Sequence, residues 1–139
     1  MRAVAVSFLR LMRRGGIASV RGMSNIVSIH PYFKVHAGQM EAARAVLVKF
    51  IEKTKTESAC LYYDFTVNGD TVFCREAYAG AAGALAHLGN VDEPLGEMLQ
   101  VSDLIRLELH GSAAELAQLK EPLAALPVEW FEYETGLGR

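Results

Sequence analysis

"ACLYYDFTVNGDTVFCREAY", residues 59–78, holds two β-branched and aromatic runs joined at Asn68-Gly69. Asn-Gly is the strongest short-range hairpin signal, because both residues tolerate positive φ. A two-residue loop at this pair sets Val67 against Asp70, which places Tyr63 opposite Cys74, Phe65 opposite Val72 and Tyr62 opposite Arg75. Side chains alternate along a strand, so one face carries Leu61, Tyr63, Phe65, Cys74, Glu76 and Tyr78, and the other Cys60, Tyr62, Asp64, Phe73 and Arg75. Cys60 and Cys74 then lie on opposite faces and cannot pair.

Upstream, "IVSIHPYFKV" (26–35) has strand composition, and Pro31, which lacks an N–H for the ladder, implies an edge position or a bulge. Gly38 breaks the pattern. From Met40 to about Thr54 the apolar positions Met40, Ala43, Val46, Leu47, Phe50 and Ile51 recur at helical spacing, with Lys49 and Lys53 on the wet side. Downstream, "AGAAGALAHLGN" reads as a short helix ending at Gly89, and "DEPLGEMLQV" as another turn or two with Pro94 near its start. "DLIRLELHG" alternates as a strand, Ser112 and Glu115 form a capping box opening a helix to about Leu126, and "VEWFEYET" is the last strand. The order β-α-β-β-α-α-β-α-β is α+β and contains a split βαβ unit with an added C-terminal helix and strand.

The 139 residues suffice for one domain with its own core. That domain is expected over residues 25–139, because residues 1–24 differ in kind. The first 23 residues carry five arginines and no acid, leaving nine basic and sixteen acidic residues downstream. Two explanations stand: a start at Met23 with upstream residues added, or a mitochondrial or plastid transit peptide, whose composition the segment shares. An acidic body argues against binding a phosphate backbone, so nucleic acid is not an expected partner. No apolar run approaches the roughly 20 residues that span a bilayer. Two cysteines without a CxxC support neither a disulfide scaffold nor zinc, and suit a reducing compartment such as the cytoplasm.

Lys34, Val35 and Gly38, then Glu57-x-x-Cys60-Leu61-x-Tyr63, Glu76-x-Tyr78 and Ala84-Leu85-Ala86-His87-Leu88 occur in an order that resembles antibiotic biosynthesis monooxygenase (ABM) domains. The likeness covers residues 25 to about 110. This chain departs from the common pattern with Ser58-Ala59 in place of Pro-Gly, Tyr78 in place of tryptophan, and Asn90-Val91-Asp92 in place of an Asn-Pro-His-like string. The resemblance implies a ferredoxin-like protomer, two of which join their sheets in a dimeric α+β barrel, with a pocket between sheet and helices in each. Some relatives oxidise quinol-like or other phenolic compounds with O₂ and no cofactor; others degrade haem with a tryptophan and an asparagine near the pocket. Here the sole tryptophan is Trp130, in the last strand.

His87 is the first catalytic candidate. A histidine titrates near neutrality and can remove a phenolic or activated C–H proton, and its place matches the family's recurring histidine. Tyr63, Tyr78 and Glu76 share the apolar hairpin face and are the substrate-binding candidates, a tyrosine hydroxyl orienting a substrate oxygen. A carboxylate on that face needs a partner, either Arg106 or a tyrosine hydroxyl. Cys60 has no histidine near it in sequence and reads as inert, while Tyr62 and Phe73 become dimer-face candidates. His30, His36 and His110 sit on different elements, and metal binding would need them to converge. The resulting expectation is a homodimeric, cofactor-free monooxygenase acting with O₂ on a small electron-rich aromatic such as a quinol or anthrone. The alternative is a non-catalytic homodimeric small-molecule-binding or stress-associated protein of the same fold.

Overall fold

The computed structural model describes residues 25–138; the basic extension and both explanations of it lie outside the described residues. The elements are β1 (Ile26–Val35), α1 (Met40–Thr54), β2 (Cys60–Asn68), β3 (Thr71–Ala79), α2 (Gly80–Asn90), α3 (Asp92–Val101), β4 (Ser102–Gly111), α4 (Ala113–Lys120) and β5 (Val128–Glu132). The sheet runs β2-β3-β1-β4-β5. Its first four strands are antiparallel, in the ferredoxin-like order, and β5 adds parallel to β4. A parallel neighbour needs a crossover, which α4 and the turn after it supply. Among the described residues no helix is long and apolar enough to cross a membrane.

The hairpin forms, but two residues out of the expected register: Tyr63 faces Glu76, Phe65 faces Cys74, and Asn68 pairs with Thr71. Gly69 (φ 60°) and Asp70 make the tip, and among the described residues no non-glycine residue has positive φ. Glycine at the first loop position is the type II′ arrangement, so Asn68 stays in the ladder. A shift of two keeps every side chain on its face, which is why Tyr63 and Glu76 still point the same way. Cys60 does not follow. A bulge pairs Cys60 with Tyr78 and Tyr62 with Ala77, so Leu61 turns to solvent and Cys60 packs against the helix-side core. It is not on the open sheet face.

Pro31 is not on an edge strand, since β1 lies between β3 and β4. The bulge alternative holds: the β1–β4 register slips between Tyr32 and Phe33, leaving Ile105 as the extra residue, exposed to solvent. The last helix stops at Lys120, short of Leu126: Glu121 keeps helical backbone, but Pro122 has no N–H to continue the hydrogen-bond ladder. The final strand likewise ends at Glu132.

The four helices of the described residues pack on one sheet face, in two clusters. One joins Val27, Ile29, Leu109, Leu116 and Leu119 beneath α2 and α4; the other joins Phe33, Val46, Phe50, Val72 and Met98 beneath α1 and α3. Ser112 accepts from the Glu115 N–H at 3.2 Å, one half of a capping box. The Glu115 carboxylate turns instead to Ala81 N (2.8 Å) and caps the start of α2. That contact ties α4 to the helix that carries His87.

Gly83, one turn before His87, sets how closely α2 approaches the segment before β2. A Cβ there would lie 2.8 Å from Ala59 Cβ and 3.4 Å from Tyr78 Cβ. Gly83→Ala is therefore expected to destabilise by about 1–3 kcal/mol through overpacking, against a helix-propensity gain of about 1 kcal/mol. Urea unfolding measures it. A midpoint at or above wild type would mean that the 57–60 segment gives way freely.

Candidate functional site

A cavity of about 80 Å³ opens where the two core clusters meet. Hydrocarbon lines most of it, including Ile29, Phe33, Phe50, Val91, Leu104 and Leu107. Its polar groups come from two neighbouring elements: Tyr63, Cys74 and Glu76 from the hairpin, and His87 from α2.

His87 is 2% exposed, at the C-terminal end of α2. Its Nδ1 lies 3.0 Å and 3.1 Å from the two carboxylate oxygens of Glu57. Its Nε2 lies 3.3 Å from Glu76 Oε2. Glu57 is held in turn by Asn90, whose Nδ2 donates to Glu57 Oε2 (2.8 Å) and to Lys53 O at the end of α1 (2.9 Å). Glu76 is held by the Tyr78 hydroxyl, which donates to its Oε2 at 2.6 Å. The result is a buried chain of groups running Asn90, Glu57, His87, Glu76, Tyr78.

Burial decides the protonation of its centre. Desolvation lowers the His87 pKa against the opposing pull of Glu57, and pushes the Glu76 carboxyl up to about 8, with the Tyr78 hydrogen bond opposing. At neutral pH the pair is an imidazole and a carboxylic acid rather than an ion pair. Because Nδ1 faces an acceptor carboxylate, the imidazole proton sits there. Nε2 is left bare at the cavity. Burial also raises the pKa of Tyr63, Tyr78 and Cys74, so these groups keep their protons. The arrangement provides a base, a group to steady the base once charged, and a neutral acid beside it.

Of the residues singled out in the sequence, His87, Tyr63 and Glu76 converge on the cavity. Tyr78 is fully buried against Glu76 and His87 but outside the lining; its ring lies 4.7 Å from the imidazole. Arg106 does not partner Glu76; it pairs with Glu108 and Glu129 near the sheet's other edge, leaving the tyrosine hydroxyl as the partner. His36 pairs with Asp103, while the rings of His30 and His110 meet at 56° with their centroids 4.5 Å apart. Among the described residues no His/Cys/Asp/Glu group is disposed to hold a metal. Glu57 and Asn90 were missed as site residues. Glu57 stands out in sequence only as part of the Glu-x-x-Cys string, thirty positions from the histidine it meets.

No protein-family model and no curated protein sequence matches the chain. Among solved structures, MupZ from Pseudomonas fluorescens is 39% identical, with a TM-score of 0.79 over 83% of this chain and 95% of that one. A Caulobacter crescentus protein bearing the provisional name antibiotic biosynthesis monooxygenase is 18% identical, with a TM-score of 0.57 over 63% of this chain and 89% of that one. A Chloroflexus aurantiacus protein with the same provisional name is 17% identical, with a TM-score of 0.52 over 60% and 89%. The last two share the fold; MupZ also shares sequence over nearly its whole length.

Proposed function

Because the chain belongs to the antibiotic biosynthesis monooxygenase-like family, we propose that it is an acid–base enzyme and, in its leading form, a cofactor-independent monooxygenase. The observation that carries this reading is the bare His87 Nε2 beside the neutral Glu76 acid at the polar end of an apolar cavity.

In that chemistry the substrate presents an acidic proton, the phenolic O–H of a quinol or the activated C–H of an anthrone-like ketone. His87 removes the proton, and Glu57 steadies the imidazolium through Nδ1–H. The carbanion gives an electron to O₂, the two radicals recombine to a peroxide anion, and the His87 imidazolium returns its proton to give the hydroperoxide. His87, neutral again, takes the second C–H proton while Glu76 protonates the departing hydroxide, and the imidazolium then hands its proton to the Glu76 carboxylate 3.3 Å away. For an activated CH₂ the balance is one O₂ consumed, one C=O formed and one water released, with the substrate as reductant. The hydrocarbon walls keep bulk water from quenching the carbanion. Tyr63, still protonated, donates to the substrate oxygen.

A second reading has its own support: an acid and a base in contact are already complete for a non-oxidative proton transfer, such as an isomerisation or an addition. Oxygen uptake and product formation, each measured over a panel of reduced naphthoquinols and activated ketones, separate the cases. Uptake above autoxidation supports the monooxygenase. Product formed equally under argon supports the non-oxidative reaction. Ligands that bind without turnover in either atmosphere point to the non-catalytic binding protein.

Asn90 is a positioning residue here, since it touches Glu57 rather than the cavity. Asn90→Ala is expected to lower kcat about tenfold or more through a misplaced Glu57–His87 pair, with KM nearly unchanged. A rise in KM alone would count against it. We also propose that a second copy covers the open sheet face, where Tyr32, Tyr62, Phe73 and Phe131 lie. Gel filtration at micromolar concentration tests this, and a monomer there contradicts it.

A further inference from the structure

The walls of the cavity bear on what it takes. Among the described residues no lysine or arginine lines it, and its polar groups cluster, His87 lying against both Glu76 and Tyr63. Behind that cluster stands a second carboxylate, Glu57. An anionic ligand would lose its hydration there without gaining a cation and would face the field of Glu57. A neutral oxygen, by contrast, meets the Tyr63 hydroxyl and the Glu76 acid as donors.

The shape is equally selective. About 80 Å³ is roughly half of the ~150 Å³ that accepts one benzene ring, so a fused ring system does not fit wholly inside. The exposed members of the lining are Leu99 and Leu126, 46% and 38% accessible, which mark the mouth. Leu95, Leu104 and Leu107 line the walls along with them. A cavity too small for a ring, lined by leucines and reaching the surface at Leu99 and Leu126, suits a chain.

We infer that the site takes an uncharged molecule with one oxygen function at the buried end and a single hydrocarbon arm running out between Leu99 and Leu126. This rests on the acid–base reading for the placement of the oxygen. It narrows that reading to the activated-ketone part of its panel: the reactive carbon bears an alkyl arm, and fused-ring quinols and anthrones, too wide for the cavity, are excluded as substrates.

Calorimetric titration of the full chain at pH 7 with 1-octanol, octanoate and 2-naphthol tests it without turnover. The expected result is that 1-octanol binds about tenfold or more tightly than octanoate, the charge being the costly group, and more tightly than the bicyclic 2-naphthol. Leu99→Trp, a change at an exposed rim position, should weaken 1-octanol binding severalfold without lowering the melting temperature. Octanoate or 2-naphthol binding as well as 1-octanol, no 1-octanol binding at all, or 1-octanol binding untouched by Leu99→Trp would each overturn the inference. Glu76→Gln separates the two levels. It keeps a neutral donor and should retain 1-octanol binding while turnover is lost; binding retained with turnover also retained sinks the acid role of Glu76 and leaves this inference standing.

Discussion

His87→Gln is expected to lower kcat about 10²–10⁴-fold, the usual contribution of a positioned general base, with the fold intact. Glutamine is the informative replacement. Its amide can donate to Glu57 and reach toward Glu76, so each carboxyl group keeps a partner on this side, whereas alanine leaves Glu57 with Asn90 and Glu76 with Tyr78 alone. What glutamine cannot do is accept a proton near neutral pH. KM should change little, because the hydrocarbon walls that hold the substrate are untouched. Steady-state rates with matched circular dichroism spectra measure it. A folded His87→Gln protein within about threefold of wild-type kcat would remove histidine from the chemistry.

The second large effect is on stability and arises from Glu76. Its folded pKa, about 8, lies above the ordinary 4.5 because the carboxyl group is desolvated. The folded state therefore holds this proton more tightly than the unfolded chain does. Its contribution is fully present below pH 4.5 and is lost as pH rises through 8. His87 has the opposite sign: its folded pKa is lowered below 6.5, so stability falls as pH drops beneath that value and is flat above it. Between pH 6.5 and 8 only Glu76 of this pair acts, and unfolding free energy should decline by about 2 kcal/mol, at 1.36 kcal/mol per pH unit. The cysteine thiols, raised by burial from an ordinary 9.0, add their own loss only at higher pH. Glu76→Gln, which cannot ionise, should flatten the curve in this window. Urea unfolding at half-unit pH steps measures it, and an equally steep decline in the variant would place the effect elsewhere.

Local signals carried the architecture. The hairpin, the amphipathic α1 and the alternating β4 are written in neighbouring residues, and their order suffices for an α+β split βαβ protomer. The convergence of Tyr63 and Glu76 was legible for the same reason, since strand parity survives a two-residue error in register. Cys60 was misplaced because a single bulged residue inverts parity, and nothing in "ACLYY" marks that bulge. Pro31 signalled an irregularity without saying which strand would absorb it, and β4 did so at Ile105.

The chain of contacts through Glu57 was harder to foresee. Glu57 lies in the turn after α1 and Asn90 at the end of α2, and they meet because Gly83 lets the helix sit against Ala59. Long-range approach of this kind depends on the volume of a residue that makes no polar contact itself. Tyr78 shows the same limit: parity gave its face correctly, but whether it would line the cavity or stand behind Glu76 depended on packing depth.

The central claim is that His87 and Glu76 stand at neutral pH as a bare base and a neutral acid. The most direct measurement is a pH titration by NMR of protein labelled with ¹⁵N in the histidine rings and ¹³C in the glutamate carboxyls, assigned with His87→Gln and Glu76→Gln. The account predicts a neutral His87 ring at pH 7, protonated at Nδ1, and a Glu76 carboxyl that ionises only near pH 8. An imidazolium at His87 facing an ionised Glu76 at pH 7 would contradict it.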